Sequence, residues 1–199
     1  MSEQWPAEKP DISGVEDEVE EAEAEVADAY GDEDDEPELH VHEHPDDGID
    51  VPDDVELLEG EVRSTRRGVG IVASRANEPA ASALLAAAFS ELDSVGIGHD
   101  HVTVMLVSGP FELAIGAMAL AKTRRYSCVV ALGDASESSI LAAEAASGLQ
   151  LAGLETGIPV SFGVLTEGGD AGERGAEAVR RGLEMADLFQ QLRAAAKAH

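Results

Sequence analysis

The sequence predicts an α/β fold on a four-stranded parallel sheet in residues 62–199, preceded by an acidic disordered tail over residues 1–61. Three observations carry this. Four apolar, strand-like runs alternate with four helical patterns between residues 68 and 196. Regular β-α alternation with short connections calls for right-handed crossovers and parallel pairing. The strand runs are almost continuously apolar, as expected where helices cover both faces of a sheet. The net charge of −28 is also unevenly divided: residues 1–61 hold 26 Asp and Glu against Lys9 alone, and residues 62–199 hold 15 against 12 Lys and Arg.

The tail comes first. With so much like charge and so few large apolar residues, "EDEVEEAEAEVADAYGDEDDEPELHVHEHPDDG" cannot offset its ordering entropy, and the domain boundary is set near Glu61. "GVGIVAS" (68–74) is the first strand. "NEPAASALLAAAFSELDSVG" follows as a helix, with Pro79 in its first turn and Gly96 at its end. "VTVMLVS" (102–108) precedes a helix over 111–123, "SCVVALG" (127–133) precedes one over 138–156, and "PVSFGVLT" (159–166) precedes one over 172–196. The helices are rich in alanine (Ala83, Ala86, Ala87 and Ala88, then Ala114, Ala117, Ala119 and Ala121), which leaves a thin core for one subunit. A homo-oligomer is therefore expected.

Charge and composition exclude several partners. An acidic tail disfavours nucleic acid and anionic membrane surfaces, and it leaves a basic protein partner or simple solubilisation open. The start of the chain lacks a basic-then-apolar leader, and no apolar run approaches the roughly 20 residues that span a bilayer. Cys128 is the single cysteine, so no internal disulfide forms, and a soluble, cytoplasmic protein is expected. Cys128 lies in an apolar run and reads as a small core hydrophobe.

In a parallel sheet the ligand crevice lies beyond the carboxyl ends of the strands. Those ends supply Ser74-Arg75-Ala76-Asn77-Glu78, Ser108-Gly109-Pro110-Phe111-Glu112, the segment from Gly133 to Ser139, and Phe162-Gly163-Val164-Leu165-Thr166. "GERGAE" (172–177) adds Arg174 near a helix N-terminus, a combination that favours an anion.

"VASRANE", "VSGPFELAIGAMALAKTRRYSCVVALG", "GLQLAGLETGIPVSFGVLT" and "GERGAEAVRRGLEMADL" resemble lumazine synthase over residues 68–192. The resemblance implies a flavodoxin-like three-layer sandwich that assembles as a pentamer or an icosahedral shell, with active sites between neighbouring subunits. It implies condensation of 5-amino-6-ribitylamino-uracil with 3,4-dihydroxy-2-butanone 4-phosphate in riboflavin biosynthesis, without metal or organic cofactor. It assigns Pro110, Phe111 and Glu112 to the loop that holds the pyrimidine substrate. Gly133, Asp134, Ala135 and Ser136 fall where backbone groups meet the second substrate, and Phe162 and Gly163 fall on the pyrimidine floor. Arg174 stands where the family has a Lys, keeping the charge and changing the geometry.

Three departures matter. The family's "SRFNE" is "SRANE" here, so Ala76 beside Asn77 offers no stacking face, a loss of roughly 0.5–1.5 kcal/mol beyond burial. The family's third strand continues into a loop whose Thr meets phosphate and whose His moves a proton. Here Gly133 runs through "DASESSILAAEAAS" to Gly148, and no catalytic residue is assigned. Asp134 and Glu137 would place negative charge where a phosphate dianion belongs. "EGGDAGERG" is too short to carry the family's phosphate-binding Arg, leaving Arg174 as the one candidate replacement.

The histidines supply no substitute. His40, His42 and His44 alternate in the tail and could recruit a divalent metal, but read more simply as tail residues. His99 and His101 precede the second strand at its amino end, away from the crevice. Three functions therefore stand side by side: a divergent enzyme with weak or lost activity, an oligomeric scaffold or shell protein whose acidic tail binds basic partners or cargo, and a flavin- or pterin-like ligand binder using Phe111 and Phe162.

Overall fold

The computed structural model describes Val55, residues 57–63 and residues 68–197. The tail up to residue 54, with His40, His42 and His44, lies outside the described residues. The strands are β1 (Gly68–Ser74), β2 (Val102–Val107), β3 (Tyr126–Asp134) and β4 (Val160–Leu165), all parallel in the order β2-β1-β3-β4. That is the flavodoxin-like order, whose switch point lies between β1 and β3. The helices are α1 (Glu78–Ser94), α2 (Leu113–Lys122), α3 (Ser139–Thr156) and α4 (Ala171–Lys197). A one-turn 3₁₀ helix, Pro110–Glu112, leads into α2, and another, His99–His101, leads into β2.

Each face of the sheet carries its own apolar layer. Ile71, Leu132 and Val130 pack with Leu84 and Leu92 of α1 and Val179 and Leu183 of α4. Val72, Val129, Ala131 and Val164 pack with Leu113 and Ala117 of α2 and Leu149 and Ala152 of α3. Small residues allow this closeness: a Cβ on Gly175 would press into the Leu84 carbonyl of α1, so α1 and α4 meet almost backbone to backbone. Helix ends follow the local chemistry. Asn77 caps α1, its side-chain oxygen accepting from the Ala80 N–H, and Ser138 caps α3, accepting from Leu141. Gly157 ends α3 in the left-handed region, φ 65°, where a Cβ would be strained.

One expectation about the strands is corrected. β1, β3 and β4 are buried as the apolar runs predict, but β2 is an edge strand covered on one face only. Met105 and Val107 pack toward α2, whereas Val104 and Leu106 are 38% and 58% exposed. Sequence alone reads such a run as doubly buried because apolar content does not record whether a strand lies inside the sheet or at its edge. Cys128 behaves as expected: it is fully buried, and burial pushes its thiol up to about 12.

The packed chain also reaches back past Glu61. Asp187 of α4, 2% exposed, accepts from the Glu61 N–H at 3.1 Å, from Arg63 Nε at 2.6 Å and from Gln191 Nε2 at 2.8 Å. Gln191 also donates to the Glu59 carbonyl at 2.9 Å. Gly60 lies so close to the Glu184 carbonyl that a Cβ would overlap it. Residues 57–63 thus form a strap on the C-terminal half of α4. Like charge along the sequence hid it, because its contacts centre on one buried carboxylate more than 120 residues away.

Candidate functional site

The switch point, where such a sheet places its ligand crevice, lies between β1 and β3. β1 ends at Ser74, whose buried Oγ accepts from the Ala76 N–H at 3.3 Å. The chain then passes exposed Arg75, Ala76 and Asn77 into α1. β3 ends at Asp134, and the Ala135 N–H extends the ladder to the Leu165 carbonyl at 3.0 Å. Across the switch point Asn77 Nδ2 donates to Asp134 Oδ2 at 2.6 Å. This bond joins the two diverging strand ends, and the same Asn77 caps α1, so one side chain fixes both walls.

The β3–α3 connection is only residues 135–138, and it is closed on itself. Asp134 Oδ1 accepts from the Ser136 N–H at 2.9 Å, the Ser138 N–H donates to the Ala135 carbonyl at 3.1 Å, and Ser138 then caps α3. Hydrogen bonding from the Ser136 side chain is the main influence holding the Asp134 carboxyl below its ordinary value of 3.8. Partial burial opposes it, and the Ser136 N–H and the Asn77 amide reinforce it. A depressed carboxylate pKa stabilises the fold above about pH 3.8, and this contribution is lost as pH falls through the folded value. A carboxyl-detected NMR titration should therefore place Asp134 below 3.8. Asn77→Asp, which keeps a capping oxygen but adds a like charge, should move the midpoint upward.

The remaining candidates divide by position. Pro110 is buried, Glu112 half-buried and folded toward Gly109, and Phe111 is 65% exposed on the turn before α2. This turn leads from β2 into α2 and packs against α3, and Leu113 directly after it reaches Gly133 of β3, beside Asp134. Gly133 is buried, and a Cβ there would meet Leu113 Cδ1 at 2.9 Å and Ser74 Cβ at 3.3 Å, so the closeness of β3 to both elements depends on it. Phe162 and Gly163 lie inside β4 rather than at its end. Phe162 packs against the α2–α3 layer, and Gly163 sits under Ala178 of α4.

Arg174 lies in the first turns of α4 and is engaged with Glu177, Nη1 to Oε2 at 3.1 Å, while Glu177 also takes Arg181 at 2.5 Å. Asp170 caps this helix through the Glu173 N–H at 2.8 Å. The sequence places Ser74 and Ser138 at strand ends but assigns no role to them or to Asp170. The last two carry the signal of a short polar residue directly before a helix, whereas Ser74 sits inside an apolar run that gives no such sign. Among the described residues no group of three His, Cys, Asp or Glu side chains could hold a metal ion, and no helix is long and apolar enough to cross a membrane.

Comparison with known proteins agrees with this framework. Residues 67–190 match the sequence model of the family described as 6,7-dimethyl-8-ribityllumazine synthase. Proteins of that name from Yersinia pestis (strain Pestoides F) and Yersinia pseudotuberculosis (serotype O:1b, strain IP 31758) are 35% identical over 153 residues, covering 98% of each relative and 69% of this chain. With its sheet order, its two helical layers and a match running from the foot of β1 into α4, the chain belongs to the 6,7-dimethyl-8-ribityllumazine synthase family.

Proposed function

We propose that this family member keeps the fold and part of the pyrimidine side of the site but condenses the two lumazine precursors weakly or not at all. The observation that carries this reading is the β3–α3 connection. It is four residues long, sealed by its own hydrogen bonds, and headed by an ionised Asp134 held in place by Asn77. A phosphate dianion brought to this strand end meets a fixed carboxylate, and the segment Ala135–Ser138 contains no histidine to move a proton. The alignment supports a shortened chain: 69% of 199 residues is about 137, set against 153 in the match. Arg174 does not restore the balance, because Glu177 already holds it.

The test is lumazine formation by the purified protein with both precursors, followed by fluorescence against a protein-free control. General acid-base help is typically worth 10²–10⁴-fold, so a rate at least about 100-fold below that of a Yersinia relative assayed in parallel is expected. Saturation with the phosphate substrate at a comparable rate would defeat the proposal. Ala76→Phe, which supplies the missing ring, should tighten binding of the pyrimidine substrate about 2- to 10-fold, the equivalent of one stacking contact.

A second reading, that of an oligomeric scaffold whose acidic tail meets basic partners or cargo, is favoured by exposed apolar surface. The outward stripe of α3 carries Ile140, Leu151 and Leu154, exposed by 75%, 51% and 76%, and β2 leaves Val104 and Leu106 open. Apolar surface of this extent in a soluble chain is what a self-associating protein buries. The pentamer of the family is the natural assembly. Light scattering should show it, and Ile140→Glu with Leu154→Glu should shift the particle toward monomer. A wild-type protein that is monomeric at micromolar concentration would remove this reading.

A further inference from the structure

The domain is electrically polar along its strands. At the crevice end stand Glu78, Glu112, Asp134, Glu137, Glu167 and Asp170, with Arg75 and the paired Arg174 as the opposing charges. At the opposite end, the foot of the sheet, stand Lys122, Arg124, Arg125, Arg193 and Lys197, all exposed. Lys122 is the last residue of α2, where a cation also suits the helix dipole. Arg124 takes a positive φ of 53° in the turn that follows. The Arg125 guanidinium lies 6.0 Å from the ring centroid of Tyr126, which is buried at the start of β3. Arg193 donates to the Gly157 carbonyl, at the foot of β4. The foot also carries Asp93, Asp100 and Glu155 and, on the strap, Glu59 and Glu61 beside Arg63, whose guanidinium is paired with Asp187. The first two stand toward β2, and His99 Nε2 lies 3.0 Å from Asp93.

The acidic chain is delivered to this same end. The strap over residues 57–63 is fastened to Asp187 and Gln191, and Arg193 is only two residues beyond Gln191 on α4. Directly before the strap, residues 39–54 contain Glu43, Asp46, Asp47, Asp50, Asp53 and Asp54 and no Lys or Arg. Sixteen residues reach at most about 55 Å, enough to cross the foot. Tethering so close to the surface also gives a high effective concentration.

We infer that the basic foot of the sheet is a docking surface for the chain's own acidic segment, residues 39–54. The acidic crevice rim repels that segment and the foot attracts it, so the site end stays clear of tail. This docking involves neither the crevice residues nor the condensation chemistry. The bond is between exposed charges, so it weakens as the Debye length falls from about 10 Å at 0.1 M salt toward 3 Å at 1 M.

Zero-length carbodiimide cross-linking of the full chain, followed by peptide mapping, tests it. At about 20 mM salt, carboxylates of residues 39–54 should couple to Lys122 or Lys197, at least fivefold more than at 0.5 M salt. Arg124→Glu with Arg125→Glu should reduce the yield comparably while leaving both reporter lysines in place. Arg125→Glu alone serves if the double variant melts early, and Arg75→Glu at the rim should change nothing. Absence of these cross-links, or a yield indifferent to both salt and Arg125→Glu, overturns the inference. Mixing light and nitrogen-15-labelled protein separates the sources: cross-links of mixed mass would assign the foot to a neighbouring copy and overturn docking within the chain.

Discussion

Gly163→Ala is expected to destabilise the domain by about 2–3 kcal/mol, before any ligand is added. An added Cβ would stand 2.6 Å from Leu132 Cδ2, 2.8 Å from Ala178 Cβ and 2.9 Å from the Ala131 carbonyl oxygen. None of these neighbours can retreat freely. Leu132 and Ala178 belong to the buried layer between the sheet and α4, and Ala131 is in the middle of β3. The better strand propensity of Ala recovers only a few tenths of a kcal/mol, so overlap decides the sign. Thermal unfolding should show a midpoint lower by several degrees, at matched protein concentration because assembly would contribute to it. Riboflavin or the pyrimidine substrate should restore little of the loss, since the cost arises beneath α4. An unchanged midpoint with weakened pyrimidine binding would instead make Gly163 a contact residue, the role that family resemblance alone assigns to it.

That contrast marks how far the sequence could be read. Strand and helix order was legible because each run advertises its period and its punctuation: Pro79 opens α1, and Gly96 follows its end. The absence of a histidine after Gly133 was legible too, since it is a matter of residue identity. What joins the site was not. The Asn77–Asp134 bond connects residues 57 positions apart, and its existence depends on β1 and β3 being neighbours, which no local pattern states. Arg174 looked available for an anion until Glu177, three residues along the same helix, was seen to engage it. β2 hid its exposed face because an edge strand and a doubly covered strand can have the same apolar composition.

The strap offers the sharpest case of a hidden structural role, and Asp187→Ala is expected to release it. The substitution removes the acceptor for the Glu61 N–H, Arg63 and Gln191 at once. Arg63 is about half exposed and can be rehydrated, so the cost falls below that of breaking a fully buried pair. On the order of 2 kcal/mol is expected, concentrated in the strap rather than the sheet. Hydrogen exchange should separate these regions: the Glu61 amide should lose protection nearly completely, while amides of β1 and β3 keep theirs. Asp187→Asn retains an acceptor of the same shape without the charge and should fall between the two. Uniform loss of protection through β1 and β3 would instead mean that Asp187 supports the α4–sheet packing as a whole. Protection of Glu61 surviving in Asp187→Ala would mean that Gly60, pressed against the Glu184 carbonyl, holds the strap without the carboxylate.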